Sequence, residues 1–224
     1  MKFERIKPKE LKRRLRARKI SGLAIDIDDT LSHTGQHWFE RMSLRFGNPE
    51  NITCAEIIKK YGRIKNVPYW QSPRAKRFIK KLIRSNEFQA RISLIKGSNN
   101  AIQKIHRIVP VAAYVTGRPV SVYKSTRQWL ARHNFPNAPI ILLPFNVSHE
   151  KRNLWKAKQL KFLYPEVRGI IDDHPHLKME LKAIGYRGML FMYDSGRNAR
   201  RYHHRAVRFH SWPDILREIS KLTG

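Results

Sequence analysis

The stretch "GLAIDIDDTLSH" (22–33) sets three carboxylates, Asp26, Asp28 and Asp29, directly behind an apolar run. Like charges packed together raise each other's pKa and weaken a fold unless solvent, a cation or a reaction accounts for them. Two other apolar runs end in polar groups. "AAYVTGR" (112–118) closes on Thr116, Gly117 and Arg118, and "GIIDD" (169–173) closes on Asp172 and Asp173. One carboxylate can attack an electrophile while a second donates or accepts a proton. A hard cation such as Mg²⁺ prefers oxygen ligands and suits Asp26, Asp172 and Asp173. A threonine hydroxyl can hold a phosphoryl oxygen, and a lysine can neutralise the same group. The segment "HEKRNLWKAKQLKFL" (149–163) offers Lys151, Lys156 and Lys158 for that task.

These groups meet only if the elements behind them converge. "GLAID" (22–26), 109–117, 139–145, 167–173 and 187–194 read as short strands, apolar without clean alternation. Helical patterns fall between the later ones, at 97–108, 120–134, 150–163 and 176–186. This alternation predicts an α/β fold, Rossmann-like, with a mostly parallel sheet covered by helices on both faces. Such sheets place their sites beyond the carboxyl ends of the strands. Residues 34–95 break the alternation with helical segments at 36–46, 53–60 and 73–84, and read as a small helical cap inserted after the first strand. The expected division is a basic N-terminal extension (1–19), a core (20–33 and 96–194), the cap (34–95) and a basic C-terminal extension (195–224). A basic helix with Leu11 and Leu15 on one face is expected over 8–19.

Composition narrows the partners. The chain of 224 residues carries 46 Lys and Arg against 17 Asp and Glu, a formal charge of +29. Residues 1–19 hold ten Lys/Arg and two Glu, and 196–212 hold five Arg and no acid. Such termini attract polyanions, so nucleic acid is a candidate partner beside a small phosphorylated substrate. No apolar run is long enough for a membrane span. Cys54 is the sole cysteine, which leaves no intrachain disulfide and points to a reducing cytoplasm. The sequence sets no oligomeric state. Phe39, Tyr61, Tyr69 and Trp70 lie in the cap, where aromatics either stack on a base or form the subdomain's own core.

"AIDIDDTL" (24–31), "AAYVTGR" and "GIIDD" resemble, in this order, the first, second and fourth motifs of the haloacid dehalogenase-like superfamily. "WKAKQLKFL" (155–163) is similar to the helix that carries the third. The resemblance implies a Mg²⁺-dependent phosphomonoester hydrolase. Asp26 would be the nucleophile that forms an aspartyl-phosphate, and Asp28 the general acid and then base. Thr116 would hold the phosphoryl oxygens, and Lys156, with Lys151 as the alternative, would neutralise them. The cation would be held by Asp26, the backbone carbonyl of Asp28, Asp172 and Asp173. Members that cleave carbon–halogen bonds lack the second aspartate of the first motif, so Asp28 favours phosphoryl chemistry. Arg118, Gly117 and His33 are expected to line the substrate site.

Within the superfamily, "DIDDTLSHTGQHWFERMSLRFG" with "ITCAEIIKKYG" resembles the cap of the cytosolic 5'(3')-deoxyribonucleotidases. Residues 171–186 resemble polynucleotide 3'-phosphatase domains. Three readings follow: a phosphatase of small metabolites with nucleoside monophosphates foremost, a polynucleotide end phosphatase, and a non-catalytic nucleic-acid-associated protein that keeps the fold.

Overall fold

The computed structural model describes residues 2–194 and 206–220. Its centre is a parallel sheet of six strands: β1 (Gly22–Ile25), β2 (Val111–Pro119), β3 (Ile140–Leu143), β4 (Val167–Asp172), β5 (Met189–Tyr193) and β6 (Ala206–Phe209). They lie in the order β3-β2-β1-β4-β5-β6. The short β1 strand is central and wholly buried. Two apolar clusters cover its two faces, one with Leu23, Ile25 and Tyr114, the other with Ala24, Val115 and Ile170. Burial on both faces explains why the strands read as continuous apolar runs. Gly22 is required where β1 meets the chain before β2: a Cβ there would sit 2.0 Å from the carbonyl oxygen of Pro110.

The sequence places the last strand at 187–194, but β6 extends the sheet beyond it. Four residues, one of them Arg208, at the end of an arginine-rich string are too short a run to read as an edge strand. The helix after it is amphipathic, and its Trp212, Ile215 and Ile219 are buried against the sheet. The arginine-rich residues 195–205 lie outside the described residues.

Helices flank the sheet. α1 (Pro8–Ala17) precedes β1; its Leu11 and Leu15 are fully buried in one of the two sheet clusters. Its cations are largely engaged. Arg16 Nε lies 2.5 Å from Glu166, Lys12 lies 3.6 Å from the same residue, and Arg13 and Arg14 pair with Glu10 at 2.7 Å.

The insertion after β1 comprises α2 (Thr34–Phe46), α3 (Cys54–Tyr61), α4 (Pro73–Ile83) and α5 (Asn86–Ala90). Phe39, Met42, Ile57, Val67, Trp70 and Ala75 give it an apolar cluster of its own, with Tyr61 and Tyr69 packed against it. All four aromatics singled out from the sequence serve this cluster. Thr53 caps α3 reciprocally with Glu56, and Ser72 caps α4, so local sequence sets where these helices begin. The short α5, absent from the sequence reading, ties the insertion to α7 (Tyr123–Arg132). Asn86 Nδ2 donates to the Ser121 carbonyl at 3.0 Å, and Asn86 Oδ1 accepts from Ser125 N–H at 3.1 Å. α6 (Ser98–Ile108), α8 (Arg152–Leu163), α9 (Pro175–Ala183) and α10 (Trp212–Ser220) complete the layers. Among the described residues no helix is long and apolar enough to cross a membrane.

Candidate active site

β1, β2 and β4 are neighbours, and Ile25 is in register with Tyr114 on one side and Ile171 on the other. The residues just past this row therefore emerge at one end of the sheet: Asp26 and Asp172 one place on, and Thr116 two places on. The strand order reverses at β1, and the crevice at such a switch point is where this class of sheet binds ligands.

The turn after β1 returns Asp28 to the same place. Leu31 N–H and Ser32 N–H both donate to the Ile27 carbonyl, at 2.8 and 3.1 Å, and Asp29 occupies the left-handed region at φ 57°. An aspartate tolerates that conformation better than most residues. Asp29 is held by the Gly35 N–H at 2.7 Å. Thr34 and Arg118 both donate to Asp28 Oδ1, at 2.7 and 2.8 Å.

Lys156 is 3% exposed and bridges two strand ends, 2.6 Å from Asp172 Oδ2 and 3.0 Å from Asp26 Oδ1. Burial alone would lower the pKa of this lysine; Asp172 and Asp26 outweigh it and hold the ammonium charged. Lys151 is exposed in the turn before α8, so Lys156 is the lysine that the fold delivers to the acids. It shares a helix face with Asn153, Ala157 and Leu160, all buried.

The carboxylates remain crowded. Burial pushes Asp26 up to about 7, with Asp172 and Asp28 adding to the effect and Lys156 opposing it. Burial also raises Asp173 well above the usual carboxylate range, reinforced by Asp29, Asp172 and Asp26. Thr30 donates to Asp173 at 3.1 Å, and His174 N–H donates to Asp172 Oδ1 at 2.8 Å. Asp26 Oδ1 is buried without a hydrogen bond, Lys156 being near but poorly aligned. Oxygens of Asp26, Asp172 and Asp173 lie within 4.8 Å of one another. An all-oxygen set with an orphaned buried carboxylate oxygen fits a hard divalent cation.

The acids open on a cavity of about 70 Å³ lined by Asp26, Asp28, Gly117, Lys156 and Asp173. Arg152, Asn153, His149 and His174 line it too, with Thr34 and Trp38 of the insertion. Sites that enclose a drug-sized ligand are roughly 300 Å³ or larger. This one is smaller, so only part of such a ligand fits within it. A larger cleft of about 350 Å³ lies against α1, between Lys2, Glu4, Leu11, Arg14, Arg18 and Pro139. It contains none of these acids.

Three expected substrate contacts are placed differently. Gly117 lines the cavity. Arg118 is 1% exposed; it holds Asp28, reaches Ser32 Oγ at 3.2 Å and lies over the Trp129 ring. His33 is half-buried at the start of α2 and is not among the lining residues. Cys54 is half-buried with its thiol raised to about 11 by burial and by Glu40, an inert setting.

No family model and no curated protein matches the chain. Solved structures do. A HAD hydrolase, family IA, variant 3, from Entamoeba histolytica HM-1:IMSS shares 16% identity at a TM-score of 0.53, over 91% of this chain and 99% of that one. A dehalogenase captured as an intermediate complex shares 10% identity at a TM-score of 0.53, over 90% of this chain and 97% of that one. This chain has the haloacid dehalogenase-like fold. At such identities the likeness concerns the backbone. Within the haloacid dehalogenase-like fold of this chain, the acids, the threonine and the lysine stand at the strand ends described above.

Sequence reading missed His149, Arg152 and Asn153. A signal was available for Arg152, which stands four residues before Lys156 and so on the same helix face.

Proposed function

We propose that the protein is a divalent-cation-dependent phosphomonoester hydrolase. The observation that carries this reading is Asp26: a buried carboxylate with one unsatisfied oxygen, beside a charged lysine and within reach of a second, hydrogen-bonded carboxylate. Asp26 attacks the phosphorus, a covalent aspartyl-phosphate forms, and the alcohol leaves. Asp28 protonates the departing oxygen and later takes a proton from the water that frees the enzyme. Arg118 and Thr34 aim Asp28 at that oxygen. Lys156 neutralises the phosphoryl oxygens, and Thr116, whose Oγ1 accepts from Arg118 N–H at 3.2 Å, retains its own proton to donate to them. Asp26, Asp172, Asp173 and the Asp28 carbonyl would hold the cation, which supplies charge compensation to the phosphoryl group when bound. Trp38 of α2, which lines the cavity, limits water around the phosphoryl group.

Nucleoside monophosphates lead the candidate substrates. A panel of phosphate esters assayed with Mg²⁺ tests the reading: release of inorganic phosphate is expected, and a broad panel with no release overturns it.

One observation favours a polynucleotide end as the substrate. Arg74, Lys76, Arg77, Lys80, Lys81 and Arg84 are exposed along one face of α4 and its end, opposite Ala75, Phe78 and Ile79. Among the described residues no carboxylate pairs with any of them, unlike the cations of α1. A helix face of this kind suits phosphate backbone. The triple variant Lys76→Glu, Lys80→Glu, Lys81→Glu is expected to lower kcat/KM on a 3'-phosphorylated oligonucleotide roughly tenfold relative to a mononucleotide at about 50 mM salt, and to flatten the salt dependence. An unchanged ratio argues for the small substrate.

A further inference from the structure

The proposed chemistry uses the acids and Lys156 and leaves His149, Arg152 and His174, which line the same cavity, without a task. Arg152 Nη1 donates to His149 Nδ1 and to the His149 carbonyl, both at 3.0 Å. An imidazole nitrogen that accepts leaves the proton on its partner, so neutral His149 carries its proton on Nε2. His174 Nδ1 accepts from the His176 N–H at 3.2 Å, and the Asn153 amide nitrogen lies 3.2 Å from the same atom. The His174 proton therefore sits on Nε2, which is 3.1 Å from Arg152 Nη2. An acceptor beside them satisfies both.

The guanidinium has no acid of its own. Among the described residues no carboxylate lies within ion-pair distance of Arg152, although Asp26, Asp173 and Asp28 act on it from further away. Lys156, by contrast, touches two. Arg152 stands one turn before Lys156 on α8, about 5.4 Å along the axis. Exposure rises in the same direction: Lys156 is buried, Arg152 half-buried and Lys151 exposed. Arg152 thus stands toward the mouth, while Lys156 serves the deep end. Arg63, exposed on the insertion, is near enough to oppose the charge of Arg152, so the positive region continues outward.

We propose that Arg152, with the Nε2–H groups of His149 and His174, forms a second anion subsite, and that the substrate carries a second phosphate beside the one hydrolysed. The proposal rests on the phosphatase reading above and names its substrate class. A nucleoside bisphosphate and the first phosphodiester of a phosphorylated oligonucleotide present the same chemistry to the subsite.

The test compares a nucleoside 5'-monophosphate, a 3'-monophosphate, a 3',5'-bisphosphate and a dinucleotide with a terminal phosphate, assayed with Mg²⁺. The wild type is expected to favour ligands with two phosphates at least tenfold in kcat/KM. Arg152→Gln should lower kcat/KM for those ligands about tenfold more than for the monophosphates, and Arg152→Lys should recover part of the preference. A lead for the dinucleotide assigns the subsite to nucleic acid, and a lead for the bisphosphate assigns it to a small metabolite. Absence of preference in the wild type, or an equal loss on all ligands in Arg152→Gln, overturns the proposal. Calorimetry on Asp26→Asn separates the two readings. If no ester is hydrolysed, yet the bisphosphate binds at least tenfold tighter than the monophosphates in an Arg152-dependent way, the subsite stands and the hydrolase reading fails. Equal affinities overturn the subsite whatever the turnover.

Discussion

Asp26→Asn is expected to lower phosphomonoester turnover by at least about 10³-fold and, at the same time, to raise the melting temperature of the cation-free protein at pH 8. The first effect follows from loss of the nucleophile, for which the amide is no substitute. The second follows from burial. Asp26 titrates at about 7 in the folded protein against an ordinary 3.8. A carboxyl whose folded pKa is raised stabilises the fold below the unfolded pKa and loses that contribution as pH rises through the folded value. The wild type therefore loses stability between about pH 4 and pH 7, and asparagine has no charge to desolvate. The shift bounds the gain at about 1–4 kcal/mol above pH 7, with roughly 2–4 °C of Tm for each kcal/mol. Thermal melts of both proteins from pH 4 to 8, without divalent cations, should diverge over this window and then run parallel. Mg²⁺ should raise the wild-type Tm by mass action and raise that of Asp26→Asn much less. A variant that melts below the wild type at pH 8, or that keeps its turnover, would falsify this account of Asp26.

Lys156→Met is expected to move stability the other way. Removing the cation leaves Asp26 and Asp172 buried and facing each other, and breaking a buried pair on one side costs about 3–5 kcal/mol. Turnover should fall with it, because the phosphoryl oxygens lose their charge partner. Adding Asp172→Asn to Lys156→Met should restore part of the Tm by removing one stranded charge, without restoring turnover. Lys151→Met, on an exposed side chain, should stay within about 0.5 kcal/mol of the wild type. Chemical denaturation of the four proteins and a phosphate-release assay check both halves. Equal losses for Lys151→Met and Lys156→Met would show that the helix face is misassigned.

The two variants differ in sign because burial disfavours the Asp26 charge more than Lys156 favours it, so removing that charge relieves the fold, while removing the lysine leaves Asp26 and Asp172 buried without their cation. A bound divalent cation offsets the carboxylate charge, which is why the melting experiments are specified without one.

The linear chain by itself determined the layered α/β arrangement and the ends of three strands where reactive side chains sit. Runs buried on both faces contain few polar residues, so the first polar groups after them mark the carboxyl edge of a parallel sheet. Asp26, Thr116 and Asp172 were legible for that reason, and the capped, amphipathic helices of the insertion were legible from local pattern. Tertiary structure decided what depends on neighbours distant in sequence. The phase of α8 against β4 brought Lys156 rather than Lys151 to the acids. Burial beneath the site turned Arg118 toward Asp28, and the packing of α8 beside the start of α9 built the wall of His149, Arg152 and His174. The edge strand β6, four residues with Arg208 among them, is too short to announce itself and gains its place by pairing with β5. Charge followed the same division: composition sets its total, but the ion pairs of α1 and the face of α4 that pairs with no carboxylate among the described residues exist only once the chain has folded.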